Sequence, residues 1–131
     1  MAEVEHNKEV ARRFIERMAV DFAGAVDEAL ADDCRVTTMG TTAISGVRTK
    51  AEALKAAAIT LDIFPKGLPT VIHTMVGEGD RLVVEAESFA THVSGKPYNN
   101  QYLFLMRFRD GKIVEMKEYL DTQLAAAFFG G

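Results

Sequence analysis

Apolar residues near the N-terminus recur at Val10, Ala11, Phe14, Ile15 and Met18. That spacing (i, i+1, i+4, i+5, i+8) is one stripe along a helix. Arg12, Arg13, Glu16 and Arg17 fill the opposite face, so a helix is predicted over residues 6–20. A shorter one is predicted at about 22–31, with Phe22, Val26, Ala29 and Leu30 on one side and Asp32-Asp33 stopping it. Cys34 to Met39 reads as a short strand, and Gly40 to Gly46 as a small loop or edge hairpin. Thr49-Lys50-Ala51-Glu52 has the capping-box pattern, which starts a third helix running to about Leu61. Pro65-Lys66-Gly67 ends that segment.

The remainder reads as sheet. Thr70 to Val76 alternates weakly, Gly77-Glu78-Gly79-Asp80 is a turn, and Arg81 to Val93 is a long, polar-rich strand. Ser94-Gly95-Lys96 turns the chain into its last third. There, two long runs of aromatic and branched residues, within Pro97 to Asp121, flank Arg109-Asp110-Gly111. Asp-Gly between such runs is a strong hairpin signal. A short C-terminal helix is expected from Thr122. Helices gathered ahead of four consecutive antiparallel strands predict an α+β fold, with the helices on one face of a curved sheet. A twisted sheet curled over helices forms a cone, and a cone leaves a pocket where side chains do not meet.

At 131 residues the chain is expected to be one domain, 1–131, with 48% hydrophobic and 26% charged residues as in an ordinary globular protein. A net charge of −4 without a basic block predicts no nucleic-acid or membrane partner. Cys34, the single cysteine, excludes an internal disulfide and carries no metal or redox spacing. The start of the chain has no signal-peptide pattern and there is no long apolar run, so a cytoplasmic location is expected.

The order of elements, the D-D-C-R-V-T-T-M-G strand, the R-F-R-D-G-K-I-V hairpin and the closing K-E-Y-L-D-T resemble the nuclear transport factor 2-like fold. Within it the chain is similar to the SnoaL-like, ketosteroid-isomerase-related branch, and the resemblance covers nearly the whole chain. It implies a cone-shaped, strongly curved antiparallel (mixed) sheet wrapped around about three N-terminal helices. This fold hosts isomerases, polyketide cyclases, epoxide hydrolases, dehydratases and non-catalytic binding proteins. In ketosteroid isomerases a tyrosine and a protonated aspartate form the oxyanion hole and a second aspartate is the base. Matching places these at Phe14, Phe104 and Thr38, none of which can do that proton work. Steroid isomerisation by that mechanism is therefore not expected. The Asp-Arg-Asp set of epoxide-hydrolase-like members is also incomplete: its last carboxylate falls at Glu118, but its other two positions fall near Ala86 and Ser88.

The resemblance also implies which strand parity faces the pocket. It puts Asn100, Tyr102, Phe104 and Met106 inward, then Met116, Glu118 and Leu120 on the last strand. On the strand before, the same parity gives Glu85, Glu87, Phe89 and Thr91, with Glu85 read as a charge at the rim or on the outer face, while Phe14 and Met18 close the cavity from the first helix. Two carboxylates in an apolar cone would repel each other and resist ionisation, a workable acid/base pair. Glu118 is expected as the main acid or base, Glu87 as its partner, and Tyr102 and Asn100 as orienting groups. Phe14, Met18, Thr38, Phe89, Phe104, Met116 and Leu120 would hold the substrate.

The leading reading is a cofactor-free enzyme that isomerises, cyclises, hydrates or dehydrates a small, mainly apolar, oxygen-bearing ligand. The alternative is a non-catalytic ligand-binding or dimeric assembly module of the same fold. Separations among His6, His73 and His92 match no metal-ligand pattern, so neither metal nor cofactor is expected. His92 is placed at the pocket mouth, Tyr98 and Tyr119 as packing residues, and Asp121 as a cap for the C-terminal helix. The opposite sheet face is partly apolar, with Gln101, Leu103, Leu105 and Arg107 beside Ile113, Glu115, Lys117 and Tyr119, which predicts a homodimer.

Overall fold

The computed structural model describes residues 2–129. Helix α1 spans Ala2–Met18 and buries the predicted stripe, Ala11, Phe14, Ile15 and Met18, while Arg12, Arg13 and Glu16 stay exposed. Asp21 caps α2 (Phe22–Ala29) by accepting from the Gly24 N–H at 3.0 Å. The Asp32-Asp33 pair does not stop a helix, as the sequence suggests. α2 already ends at Ala29, and β1 (Leu30–Thr38) runs through both aspartates. They occupy a register shift between Leu30 and Arg35, which lets two successive residues face water. Asp33 is gripped there by both terminal nitrogens of Arg109, at 2.8 and 3.2 Å.

The edge strand β2 (Gly46–Thr49) leads into α3 (Lys50–Ala58) through a complete capping box: Thr49 accepts from the Glu52 N–H and Glu52 accepts from the Thr49 N–H. A single turn, α4 (Thr60–Ile63), follows. The chain then folds back at Gly67, whose φ of +83° and position against the Ala19 carbonyl leave no room for a Cβ, which would lie 2.0 Å from that oxygen. Next to it, the Leu68 N–H bonds the same carbonyl at 2.9 Å, tying this loop to the α1–α2 junction.

Strands β3 (Thr70–Glu78), β4 (Arg81–Ser88), β7 (Gln101–Arg109) and β8 (Lys112–Leu120) form the antiparallel meander. The strand expected over 81–93 is broken at Phe89. Beyond it, β5 (Ala90–Thr91) pairs with β6 (Pro97–Tyr98) as a separate two-stranded ribbon. The β7–β8 turn holds Asp110 (φ 52°) and Gly111 (φ 77°) in the left-handed region, as a two-residue hairpin loop requires. β8 also pairs with β1 in parallel, so the six-stranded sheet is mixed, with order β2-β1-β8-β7-β4-β3 and two free edges rather than a closed barrel. The C-terminal helix α5 (Thr122–Phe129) starts as expected, with Asp121 accepting from the Leu124 N–H at 3.0 Å.

The helices pack on one face of this sheet, and two apolar clusters result. The larger joins α1 and α2 to Leu82, Val84, Phe104, Met106, Phe108 and Met116. The smaller gathers Phe64, Leu68, Ala90, Tyr98 and Ala125 near the α5 end. Ile113, expected on the outer face, is buried. A bulge between Arg107 and Phe108 shifts β8 by one residue there, and side chains beyond it change sides.

Candidate active site

A cavity of about 300 Å³ opens between the two clusters. Its wall is almost wholly apolar: Met18 from α1, Phe22 and Val26 from α2, Ala57 and Ile63 from the α3–α4 segment, Phe104 from β7, Met116 and Leu120 from β8, and Phe129 from α5. Tyr102 and Phe104 stack with their rings 8° from parallel and 5.4 Å apart, which makes one wall flat. Two groups of polar side chains interrupt this surface.

The first is centred on Glu118. β8 lies between β1 and β7, and Thr38 sits directly opposite Glu118 in the parallel β1–β8 register. The Thr38 hydroxyl donates to Glu118 Oε2 at 3.2 Å and accepts from Arg48 Nη1 at 3.1 Å. Arg48 is fixed in turn by donating from Nη2 to the Ile44 carbonyl at 2.6 Å. Burial pushes the Glu118 carboxyl above the usual glutamate range, and the Thr38 hydrogen bond and the Arg48 charge partly oppose the shift. The residual exposure of Glu118 is to the cavity that it lines.

The second group comprises Tyr98 and Tyr102, whose hydroxyl oxygens lie 2.7 Å apart, with Ser88 beside them on the cavity wall. Burial is the main cause that raises both phenol pKa values, well above the ordinary value for Tyr102, so both are neutral donors at physiological pH. Glu118 adds to both shifts through its charge, which places the two polar groups within electrostatic reach of each other.

Of the residues expected at the site, Glu118, Tyr102, Met18, Thr38, Phe104, Met116 and Leu120 line this cavity. Four do not. Phe14 is packed in the larger core beneath it. Asn100 is buried behind the tyrosines with its amide saturated: Nδ2 donates to the Tyr98 hydroxyl (2.9 Å) and the Asp121 carbonyl (3.0 Å), while Oδ1 accepts from the Gln101 and Asp121 N–H groups (2.8 and 3.2 Å). It holds Tyr98 rather than a ligand. Glu87 projects from the outer face, half-buried and 3.1 Å from His73 Nε2, and Glu85 and Thr91 are exposed. Phe89 lies in the break after β4 and is 48% exposed.

The parity of β4 is therefore the reverse of that taken from the isomerase match. Leu82, Val84, Ala86 and Ser88 face inward, as shown by the pairing of Val84 with Phe104 and Ala86 with Tyr102. The signal was present in the strand itself, where the even positions are apolar or small and the odd positions carry the two glutamates. Tyr98 and Arg48 went unassigned to the site. Tyr98 lies on a ribbon the sequence does not delimit, and Arg48 lies on an edge strand, between the expected loop at 40–46 and the third helix, that the sequence pattern left without an element.

His92 packs edge-on against Phe64 and Phe128, and its Nδ1 accepts from the Ser94 N–H at 3.1 Å. Cys34 is fully buried, and desolvation raises its thiol pKa to about 11, which leaves it unreactive at neutral pH. Among the described residues no group of three or more His, Cys, Asp or Glu side chains could hold a metal ion, and no helix is long and apolar enough to cross a membrane.

The family model described as a SnoaL-like domain matches residues 11–116. Solved structures share the fold over nearly the whole chain. A candidate isomerase from Bacillus subtilis is 21% identical with a TM-score of 0.85, covering 100% of this chain and 97% of its own. A candidate SnoaL-like polyketide cyclase from Jannaschia sp. CCS1 is 18% identical with a TM-score of 0.78, covering 100% and 96%. IdmH, a candidate polyketide cyclase from Streptomyces antibioticus, is 21% identical with a TM-score of 0.77, covering 95% and 99%. No curated protein matches the sequence.

Proposed function

The chain belongs to the SnoaL-like family, and from that premise we propose that it is a cofactor-free acid/base enzyme acting on a small, mainly apolar, oxygen-bearing ligand held in the cavity. The observation that carries this reading is the Glu118 carboxyl, raised in pKa by burial and presented to an otherwise oily hollow beside two neutral phenols. A carboxyl tuned upward toward neutrality can both remove and return a proton. A ligand oxygen accepting from Tyr102 would be polarised, with the negative charge that develops on it stabilised by a donor needing no reorganisation. Asn100 holds Tyr98, and Tyr98 holds Tyr102. The reaction class is proton transfer at or next to an oxygenated carbon: isomerisation, cyclisation, hydration or dehydration.

One observation favours a second reading. Glu87 lies outside, so Glu118 is the single carboxylate among the described residues lining the cavity. A non-catalytic binding module would need no more than that. Screening oxygenated ring compounds for turnover by wild type and Glu118→Gln separates the two. The enzyme reading expects turnover that the variant loses with ligand affinity retained, and turnover unchanged in the variant would sink the catalytic role.

We also propose that a second copy of this chain covers the outer sheet face. Leu103 and Tyr119 are each 39% exposed there on paired positions of β7 and β8. Leu103→Lys should lower the mass measured by analytical ultracentrifugation from dimer to monomer; a wild-type monomer at high micromolar concentration would refute the assembly.

A further inference from the structure

We propose that Arg48 is a positioning residue that acts through Thr38 to make Glu118 Oε2 a permanent hydrogen-bond acceptor, leaving Oε1 as the oxygen that exchanges a proton with the ligand. The inference rests on the reading of Glu118 as the acid/base group.

It follows from donor and acceptor counting. A guanidinium can only donate. Arg48 Nη1 therefore occupies a lone pair of Thr38 Oγ1, and the bond from Nη2 to the Ile44 carbonyl stops the fork from rotating away. A threonine hydroxyl has one proton. With its oxygen accepting from Arg48, that proton is directed at Glu118 Oε2. When Glu118 is protonated, its carbonyl oxygen is the stronger acceptor, so Oε2, which already receives the Thr38 hydrogen, is the carbonyl oxygen of the acid. The acidic proton then sits on Oε1, which receives no hydrogen bond from any described residue and is left to the cavity that Glu118 lines. When Glu118 is ionised, the same arrangement leaves Oε1 as the free base.

The interposed hydroxyl matters because Arg48 and Glu118 make no ion pair among the described residues. A direct bidentate pair would hold the carboxylate ionised and use both oxygens. Relayed through Thr38, the cation orients the acid while burial still favours its protonated form. The other titratable groups on the cavity wall are Tyr98 and Tyr102. Lining residues from α1, α2, α3 and α5 contribute no titratable group.

The test is pH-difference infrared spectroscopy on the ligand-free protein, with Glu118→Gln identifying the carbonyl band of protonated Glu118. Arg48→Met and Thr38→Val should each move that band to higher frequency, as a hydrogen bond to the carbonyl oxygen is lost, and raise its titration midpoint. Thr38→Ser, which keeps the hydroxyl, should restore the wild-type band. In the Thr38→Val background the Arg48→Met change should shrink, because the relay is already cut. If Arg48→Met does not fold, Arg48→Lys keeps a donor without the fork and should give a smaller displacement in the same direction. The proposal is overturned if the band stays fixed in the variants, or if the effect of Arg48→Met is undiminished without the threonine hydroxyl. A Glu118 that titrates in the ordinary range in wild type would instead remove the acid/base reading itself.

Discussion

Glu118 and Glu87 belong to the same sheet, on strands separated only by β7, yet they occupy opposite worlds. Glu118 points inward, accepts from Thr38 and is pushed toward its neutral form by burial. Glu87 points outward and rests against an exposed histidine. The residue type is the same and the backbone conformation is the same. What differs is the parity of the strand, and with it the surroundings of the carboxyl: on the inner face, burial is the main cause that raises the pKa of Glu118. The two faces also differ in how polar atoms are satisfied. Inside, Asn100, Tyr98 and Tyr102 are bound to one another and to backbone; outside, water can do the same work.

The sharpest way to break this contrast is to remove one charge at a time. Glu118→Gln should lower turnover of a true substrate by about 100-fold or more, the usual contribution of a positioned acid or base. Glu87→Gln should leave it nearly unchanged. Steady-state rates of the two variants decide the matter, and equal losses would erase the distinction between the faces.

A second contrast uses neighbours on one stretch of chain. Asn100→Ala removes four hydrogen bonds from a buried amide and takes the Oδ1 acceptor from the Gln101 and Asp121 N–H groups, which should cost about 2–3 kcal/mol in a urea melt. The side chain of Gln101, the next residue, is exposed on the outer face, and its replacement by Ala should cost within about 0.5 kcal/mol. Equal costs would mean that the amide network is not the support it looks like.

The smallest expected effect is on pH dependence. The folded-state pKa of Glu118 is raised, so between the ordinary glutamate range and that raised value the native state holds more protons than the unfolded state. Stability contributed by the protonated acid is therefore lost as pH rises through this window. Glu118→Gln should flatten this slope, and Glu87→Gln should keep it. Thermal melts across the mildly acidic to neutral range would show the difference, and a slope surviving in Glu118→Gln would assign it to other groups.

Much of the fold could be read along the chain because its signals are local. The α1 stripe, the Thr49–Glu52 box and the Asp110-Gly111 turn each specify their own geometry within a few residues. The β8 part of the cavity wall came from the family resemblance combined with strand alternation, which carries Met116, Glu118 and Leu120 to one face. The same template that served β7 and β8 misled where it disagreed with the local pattern. On β4 the run Leu82, Val84, Ala86 shows which side is oily, and the match to isomerases overrode it, bringing Glu87 and Phe89 inward wrongly. At Asp32-Asp33, two charges in a row read as a stop, although a bulge carries a strand through them.

By itself, the sequence determined the main helices, the long strands and their order, since propensity, periodicity and turn chemistry act between near neighbours. Only the tertiary structure decided that Arg48 and Thr38 attend Glu118, that Asn100 serves Tyr98, and that the hollow holds one carboxylate. Those contacts join positions up to 80 residues apart, and hydrogen-bond partners at that range are chosen by how strands register, not by how residues follow one another.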